Sequence, residues 1–447
     1  MLSEHLFKLV RPEVYDLHKF YEKSQWWSKN KIKSYQLKKL RSLIVYSFKN
    51  VPFYRNLWQG LDLNIDLKSL DDLNQFPVVT KGMLMKAIDN NQISNEFVSE
   101  KSTKKVVWQV STGSDGKPFL YPNNMNSENH RNAARRRLYN WYGLGYGTKW
   151  AHFWRGKYKK SFYSLLKESL TKRYSFCIYD PEYPKETELN AARIKFFIDK
   201  LNRIKPTIID GFPSALYEIG NYMIENDVNL NYNVRAVVTG AEVLNDDTRK
   251  LISEVFNAPV YNRYGGTESS IIAHECTFQT ESNHYLHIQE DRLIVETDDN
   301  DEIILTDLNT KSIPFIRYKN GDLAKINDNY YCPCKRQLKI ISNIQGRVND
   351  MFILPNGNKI TSHLWQTYMK KTPSIANYRM VQEKDFSVKI YWIRKKNTFD
   401  DISFSYVQGL VYEALKGCDI KWIEKSNFKR GIGGKFRQHI SNAKIHK

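Results

Sequence analysis

A strand–helix–strand pattern near the middle of the chain restricts the fold more than any other stretch. Residues 234–240, VRAVVTG, have the apolar character of a buried strand. Residues 245–256, NDDTRKLISEVF, have the pattern of a helix with Asn245 as its N-cap, and residues 258–265, APVYNRYG, form the next strand pattern. Two strands joined through a helix run parallel in one sheet. The sequence therefore predicts an α/β fold with parallel or mixed sheets and helices.

The length of 447 residues predicts two or three domains. Residues 284–345 alternate apolar and polar side chains with period two, which predicts a β-rich subdomain, and the pattern of strands and helices restarts after residues 346–350, GRVND. We expect a large N-terminal domain over 1–345 and a small, mobile α+β domain over 346–447. We find no apolar run of about 18 residues and no signal-peptide pattern, so we expect no membrane span.

The net charge of +20 indicates either an anionic partner or a general compositional bias toward lysine. Basic residues cluster in 23–43, KSQWWSKNKIKSYQLKKLRSL. That stretch is compatible with a helix lying on a membrane surface, but we favour a solvated helix packed through its Trp and Leu side chains. Five cysteines are too few for a disulfide framework in a chain of this length, which predicts a cytoplasmic protein.

The loop VSTGSDGKP, residues 110–118, lies between two predicted strands and is rich in hydroxyls and glycine. Its spacing does not match the P-loop, the Rossmann fingerprint or the nucleophile elbow. Glycines allow backbone amides to approach phosphate oxygens, hydroxyls donate hydrogen bonds, and a lysine adds charge. Taken alone, the loop is either a polyphosphate site or an ordinary hairpin turn.

VSTGSDGKP resembles the phosphate loop of the adenylate-forming enzymes, which include acyl-CoA synthetases, peptide-synthetase adenylation domains and luciferases. Further stretches resemble the other signatures of that superfamily in the same order: TGAEVL (239–244), YNRYGGTES (261–269), RYKNGDLA (317–324), IQGRVNDMFI (344–353) and GIGGKFRQH (431–439). Within the superfamily, NVPFY (50–54), KPTIIDGFPSALYEI (205–219) and CPC (332–334) are similar to the branch of phenylacetate-CoA ligases and CapK-like capsule-biosynthesis proteins. The resemblance extends over about residues 37–440.

This resemblance implies an ATP- and Mg²⁺-dependent ligase that converts a carboxylic acid into an acyl-AMP and pyrophosphate. It implies that the phosphate loop holds the β- and γ-phosphates through Ser111, Thr112, Gly113, Ser114, Gly116 and Lys117. Tyr264 would stack on the adenine, beside Gly265 and the backbone of Gly240, Ala241 and Glu242.

The same resemblance implies the remaining catalytic roles. Thr267 would donate to the α-phosphate, and Glu268 would hold Mg²⁺ through a carboxylate oxygen. Asp322 would accept both ribose hydroxyls, with Arg347 at the ribose or a phosphate. Lys435, on the small domain, would meet the substrate carboxylate and the α-phosphate as charge develops.

The acceptor of the activated acyl or aminoacyl group stays open between two possibilities. One is coenzyme A, as in the phenylacetate-CoA ligases. The other, which we favour because the N-terminal region is long and basic, is a surface-polysaccharide precursor such as a sugar nucleotide, with peripheral membrane association. A nucleic acid partner is not expected of the ligase. An alternative of another class is a non-catalytic module that binds nucleic acid or membranes on a ligase scaffold.

Two closely spaced pairs of metal-ligating side chains predict a structural zinc ion. The pairs are His274 with Cys276 in HEC, and Cys332 with Cys334 in CPC. One-residue spacing places both members of a pair on one side of an extended segment, and Cys₃His is a common structural zinc set. The alternative is four unrelated residues, among them buried free thiols.

Overall fold

The computed structural model describes residues 2–63, 65–98, 106–111, 118–279, 284–395, 398–428 and 436–443. The chain divides into two compact units. The first unit contains Met1–Asn320 and Lys325–Asn343, and the second contains Gly321–Ala324 and Ile344–Lys447.

The first unit is rich in helices, many of which begin at a side-chain cap or a proline. Ser28, Asn190 and Asn245 each accept a hydrogen bond from a backbone amide in the first turn of the helix that follows. The helices are α1 (Leu2–Val10), α2 (Pro12–Ser24), α3 (Lys29–Asn50), α4 (Pro52–Trp58), α5 (Lys81–Asp89), α6 (Asn95–Val98), α7 (Met125–Trp141), α8 (Phe162–Thr171), α9 (Ala191–Ile204), α10 (Pro213–Glu225) and α11 (Asp246–Phe256), with a short 3₁₀ helix at Asp71–Gln75.

The strands up to the unit boundary form a hairpin and one large mixed sheet. They are β1 (Val106–Ser111), β2 (Phe119–Asn124), β3 (Trp150–Arg155), β4 (Arg173–Tyr179), β5 (Ile208–Gly211), β6 (Ala236–Gly240), β7 (Val260–Gly266), β8 (Ser270–Glu275), β9 (Leu286–Ile288), β10 (Leu293–Thr297), β11 (Glu302–Asp307), β12 (Tyr318–Asn327) and β13 (Ile340–Arg347). Strands β1 and β2 pair antiparallel as a separate hairpin. The large sheet has the order β10-β11-β12-β13-β9-β8-β7-β6-β5-β3-β4, and β12 and β13 contain residues of both units.

One half of this sheet is parallel and has the topology that binds ligands in α/β proteins. Strands β4, β3, β5, β6 and β7 are neighbours in that order and pair parallel. The chain passes from β3 outward to β4 and then returns to the other side of β3 as β5, which makes a topological switch point between β3 and β5. A core of buried apolar side chains from these strands and from α9, α10 and α11 covers this half. The predicted α/β class is confirmed.

The second unit is a small α+β body with its own core. Its elements beyond β13 are β14 (Phe352–Ile353), β15 (Lys359–Ile360), α12 (Ser362–Met369), β16 (Ile375–Gln382), β17 (Val388–Arg394), α13 (Asp401–Ala414), β18 (Ile420–Glu424) and β19 (His439–Ser441), with a 3₁₀ turn at Val348–Asp350. Four of the strands form a sheet of order β18-β17-β16-β19. Trp365, Met380 and Val407 lie in its fully buried core.

The basic stretch 23–43 contributes to the core of the first unit. Helix α3 buries Ile32, Leu40 and Leu43 along one side, while its lysines lie on the other. The packing through leucine that we favoured from the sequence is observed, whereas Trp26 is 53% exposed. Among the described helices, none combines the length and the apolar character that crossing a bilayer requires.

Candidate active site and cysteine cluster

The carboxyl ends of β6 and β7 bring two of the predicted motifs side by side. Gly240, the last residue of β6, pairs in register with Arg263 of β7. Ala241 follows with a φ of +68°, so the chain turns sharply as it leaves the sheet. The side chain of Glu242 accepts a hydrogen bond of 3.0 Å from the backbone amide of Ser214, in the first turn of α10. Glu242 thus caps a helix, which leaves its backbone as the part available to an adenine.

The GGTES motif forms a tight hairpin between β7 and β8. Gly266 pairs with Ser270, so that residues 267–269 are the loop. A side chain at Gly265 would place its Cβ 2.1 Å from the carbonyl oxygen of Ser270, so this close approach of two backbone segments requires glycine. Tyr264 is buried, and its hydroxyl accepts a hydrogen bond of 2.7 Å from the Asn320 side-chain amide.

Buried donors hold the carbonyl oxygens of this hairpin loop. The hydroxyl of Tyr121 donates to Thr267 O at 2.6 Å, and the guanidinium of Arg131 donates to the carbonyl oxygens of Thr267 and Glu268. Arg292 donates to Ser269 O at 2.6 Å. These hydrogen bonds hold the backbone of the hairpin loop in place. The half-buried side chains of Thr267 and Glu268 therefore extend from a fixed backbone.

These anchoring side chains were not predicted from the sequence. Arg131 lies in HRNAARRRLY of α7, which reads as the polar part of an amphipathic helix, and Arg292 lies in a turn before β10. Both guanidinium groups are almost completely buried. Because the buried side of α7 also contains Asn129 and His130, the sequence does not mark Arg131, and only the fold shows which carbonyl groups it meets.

A buried ionic network lies where β3, β5 and β7 carry polar side chains at matching positions. Asp210 of β5 forms an ion pair with Arg263, with 2.8 Å between Oδ1 and Nη2, and accepts hydrogen bonds from His152 at 2.8 Å and from the Tyr139 hydroxyl. Burial alone would raise the pKa of Asp210, but the Arg263 and His152 side chains outweigh it and lower that pKa. Burial lowers the pKa of His152 to about 4. At neutral pH the network therefore contains a charged Asp–Arg pair and a neutral imidazole.

Aromatic side chains lie beside this buried ionic network at the switch point between β3 and β5. The ring of Trp154 on β3 lies 4.0 Å, between centroids, from that of Phe212, which follows β5. The ring of His152 stacks on Trp154 from the other side, with 5.2 Å between centroids. The carboxyl end of β3 thus presents the half-buried ring of Trp154, with Phe212 fully buried against it.

The predicted phosphate loop is described only at its ends. Strands β1 and β2 form the antiparallel hairpin expected around it, with Ser111 paired to Phe119 and buried. The other loop residues named above lie outside the described residues: Thr112, Gly113, Ser114, Gly116 and Lys117.

In the second unit, two of the predicted nucleotide ligands meet each other. Arg347 Nε lies 3.2 Å from Asp322 Oδ1, and the Asp322 carboxylate is the more buried partner. The neighbouring Gly346 has a φ of +106° and lies against Ser362, so that a Cβ there would meet Ser362 Oγ at 2.1 Å. The glycine of the predicted hinge is therefore required by close packing within this unit.

Lys435 lies outside the described residues, but both ends of its loop are described. The rings of Phe428 and Phe436 lie 5.2 Å apart between centroids, and the Arg379 guanidinium lies over both rings. Arg437 forms an ion pair with Asp350. These contacts bring Phe428 and the segment that begins at Phe436 together, on either side of residues 429–435.

A buried group of three cysteines and one histidine lies in the first unit. The ligating atoms of Cys276, His287, Cys332 and Cys334 all lie within 4.8 Å of one another. Cys276 Sγ is 3.6 Å from Cys332 Sγ, and Cys334 Sγ is 3.4 Å from His287 Nε2. Ligands of a tetrahedral zinc ion are separated by about 3.8 Å for two sulfurs and about 3.6 Å for sulfur and nitrogen. The donor set and its spacing therefore fit a zinc ion.

The histidine of this group corrects the sequence-based prediction. His274 was predicted as the ligand, but the cluster contains His287 instead. The two histidines are direct cross-strand partners in the β8–β9 pair. The ring of His274 packs against that of Trp141 at a tilt of 49°, with 4.0 Å between centroids. The structure groups the three named cysteines with His287 and not with His274, while zinc binding itself stays a prediction.

Comparison with known proteins shows what this chain is similar to. No family model matches it. Protein CapK of Staphylococcus aureus is 24% identical over 350 residues, which cover 77% of this chain and 74% of CapK. Phenylacetate-coenzyme A ligase of Aromatoleum evansii is 24% identical over 377 residues, 80% of either chain. A crystal structure of 2-hydroxyisobutyryl-CoA ligase in complex with 2-HIB-AMP superposes with a TM-score of 0.72 at 18% identity, over 91% of this chain and 89% of that one. The chain is therefore similar in sequence to CapK and to phenylacetate-coenzyme A ligases, and it shares the fold of an acyl-CoA ligase.

These comparisons confirm three of the predictions. The resemblance to CapK and the phenylacetate-CoA ligases, the fold class and the expectation of a ligase all agree with the relatives and with the shared fold. The roles of individual site residues stay predictions, and so do the domain boundaries.

Proposed function

We propose that this protein activates a carboxylic acid with ATP, forming an acyl-AMP and pyrophosphate, and then transfers the acyl group to an acceptor. The carboxylate attacks the α-phosphorus, the bond to the bridging oxygen of pyrophosphate breaks, and pyrophosphate leaves. The observation that supports this most directly is the Thr267–Ser269 hairpin loop, whose carbonyl oxygens are held by buried arginines. That rigidity suits a loop that presents a hydroxyl and a carboxylate to a triphosphate.

In this proposal, Glu268 holds the Mg²⁺ that accompanies ATP, and Thr267 donates its hydroxyl to the α-phosphate. Mg²⁺ prefers carboxylate oxygens and substrate phosphates to a complete protein cage, so a single fixed carboxylate is a suitable ligand. The ion supplies charge neutralisation between two anions that must approach each other. Tyr264 and the backbone of residues 240–242 take the adenine, and Asp322 takes the ribose.

The switch point between β3 and β5 is our proposed location for the acid. Open α/β sheets bind ligands outside the carboxyl ends of strands at such points. The half-buried ring of Trp154, packed against the fully buried ring of Phe212, offers aromatic surface there. The nearby Asp210 is already engaged by Arg263, His152 and Tyr139, so it suits a substrate without an ammonium group. These features favour an aryl or aliphatic acid over an amino acid.

Two acceptors have specific support. Similarity to CapK supports a surface-polysaccharide precursor, and similarity to phenylacetate-coenzyme A ligases supports the thiol of CoA. Both transfers begin from the same acyl-AMP. An assay of the first half-reaction therefore tests the shared step, and addition of CoA then separates the two acceptors.

The test is a pyrophosphate-release screen over aryl acids, fatty acids and amino acids, with and without CoA. We expect release above background with an aryl or aliphatic acid, and a loss of about 100-fold in Glu268→Gln because the metal ligand is removed. Glu254→Gln, on the exposed side of α11, is the matched control and should keep full activity. If no acid supports release in wild-type protein, or if Glu268→Gln is as active as the control, the proposal is wrong.

For Asp322→Ala, we expect ATP binding to weaken by about 10- to 100-fold, because charge-assisted hydrogen bonds to the ribose are lost. The rate at saturating ATP should change little, since these bonds serve the ground state and the transition state alike. Titration calorimetry with ATP measures the change. Asp328→Ala, which removes a half-exposed carboxylate paired with Lys339, is the control. Equal affinity in the two variants would contradict the ribose assignment.

We also propose a structural zinc ion at Cys276, His287, Cys332 and Cys334. All four side chains are buried, and three thiolates with one imidazole complete a tetrahedron without a position for water. Such an ion would link the β8–β9 pair to the segment around residues 332–334 and would have no part in the chemistry.

A further inference from the structure

Helix α8, between β3 and β4, exposes its apolar side instead of burying it. None of its ten residues is buried. Five large apolar side chains of this one helix are between 46% and 82% exposed: Phe162, Tyr163, Leu165, Leu166 and Leu170. On a helix with 3.6 residues per turn these positions form one continuous stripe. A surface helix normally turns such a stripe toward the core.

The polar side of α8 is the side that faces the protein. Ser164 and Glu168, one turn apart on the opposite side from the stripe, are the helix residues that are partly buried. Glu168 Oε1 lies 2.7 Å from Lys160 Nζ and accepts a hydrogen bond of 2.9 Å from Ser175 N on the edge strand β4. Both charged side chains of this pair are largely shielded from solvent. The ion pair therefore fixes the helix with its apolar stripe outward.

The charge around α8 indicates what covers the stripe. Residues 157–173, KYKKSFYSLLKESLTKR, contain six basic side chains and one acidic side chain, a net charge of +5. Two copies of this segment would repel each other if the stripes met. An apolar stripe of Phe, Tyr and Leu flanked by lysines is the composition of helices that lie in the interface of an anionic bilayer.

We propose that α8 is a docking helix for an anionic membrane surface. Its stripe enters the boundary between headgroups and acyl chains, while the flanking lysines contact the anionic headgroups. The Glu168–Lys160 ion pair, on the side of the helix that faces the protein, sets the orientation of the helix. None of the five stripe residues is among those proposed for the adenylation chemistry, so the enzyme can be active in solution and still bind a membrane.

The experiment measures co-sedimentation of the full chain with vesicles in which about a third of the lipid is phosphatidylglycerol and the rest phosphatidylcholine. We expect binding that weakens as salt rises and is much weaker with phosphatidylcholine alone. The variant Phe162→Gln/Leu166→Gln/Leu170→Gln should partition at least about tenfold less, because three exposed apolar side chains are removed. The matched control is Ile402→Gln/Tyr406→Gln on α13, which also replaces exposed apolar side chains at constant charge.

The substituted side chains are exposed, so the α8 variant should unfold at the wild-type temperature and release pyrophosphate in solution at the wild-type rate. That readout separates a failure of docking from a failure of the proposed function. Three results would each overturn the docking proposal: no binding of wild-type protein to the anionic vesicles, equal binding of the α8 and α13 variants, or a lipid-free dimer that the α8 substitutions dissociate. In the last case the stripe is covered by a second copy.

Discussion

In Lys435→Ala, pyrophosphate release should fall by about 100- to 1,000-fold, while ATP should bind with nearly unchanged affinity. In the proposed reaction, the lysine ammonium meets the carboxylate and the α-phosphate as negative charge builds between them. An interaction that tightens in the transition state affects the rate and leaves ground-state binding almost intact. The paired aromatic rings of Phe428 and Phe436 fix the two ends of the loop that carries this lysine, so the loss should be local.

The measurements are the initial rate of pyrophosphate release with the acid found in the screen and the Kd for ATP without acid. Lys421→Ala is the matched control, since Lys421 is about two-thirds exposed on β18 of the same unit and pairs only loosely with Asp419. A rate equal to that of the control would refute the catalytic role. A loss of ATP affinity as large as the loss of rate would instead make Lys435 a nucleotide ligand.

The sequence was informative where function depends on short local motifs. VRAVVTG, the helix after it and APVYNRYG became β6, α11 and β7, with Asn245 as the observed cap. The period of the apolar residues and the N-cap chemistry are local signals, so they predict these elements without knowledge of distant contacts. The GGTES motif is likewise explained by local structure, since the hairpin that the motif forms requires glycine at position 265.

The parts that the sequence did not predict depend on contacts between distant segments. Arg131 and Arg292 reach the carbonyl oxygens of residues 267–271 across more than 20 residues of chain. Nothing in the local sequence around either arginine specifies those acceptors. The same holds for Glu242, where the family motif indicates a nucleotide contact and the fold adds a cap on α10.

Helix α8 shows a different limit of prediction from the sequence. Its sequence, FYSLLKESLT, has a clear helical period, and a periodic apolar stripe ordinarily indicates the buried side. Here the partly buried Glu168–Lys160 pair and the hydrogen bond to Ser175 decide the orientation. Periodicity predicts that a helix has two different sides, but the surrounding contacts determine which side faces the core.

The choice of His274 over His287 has the same origin as the missed arginines. His274 stands two residues before Cys276, and that spacing favours one side of an extended strand. His287 has no cysteine near it in the sequence and reaches the cluster because β9 pairs with β8 in the register that sets it opposite His274. The available signal was the presence of another histidine, His287, at a strand position of the β-rich region.

For the zinc proposal, we expect purified protein to contain about one zinc ion per chain, and Cys332→Ser and His287→Gln to lose it. His274→Gln should keep the ion, although it removes a buried ring, and Cys177→Ser should keep it too. Cys177 is buried like the cluster cysteines but donates to Gly156 O and has no place in the cluster. Elemental analysis of the four variants, purified without added metal or chelator, gives the metal content directly.

Loss of the metal should also lower stability, because an ion that binds only the folded chain stabilises it by mass action. With free zinc at about a thousand times its Kd, this linkage contributes about 4 kcal/mol. A strong chelator should therefore lower the unfolding temperature of wild-type protein and leave that of Cys332→Ser unchanged. Pyrophosphate release by the folded metal-free protein at low temperature should persist, since a closed Cys₃His site offers no position to substrate. Metal-free wild-type protein of full stability would eliminate the zinc site, and retention of zinc by His287→Gln with its loss in His274→Gln would restore the ligand that the sequence alone indicated.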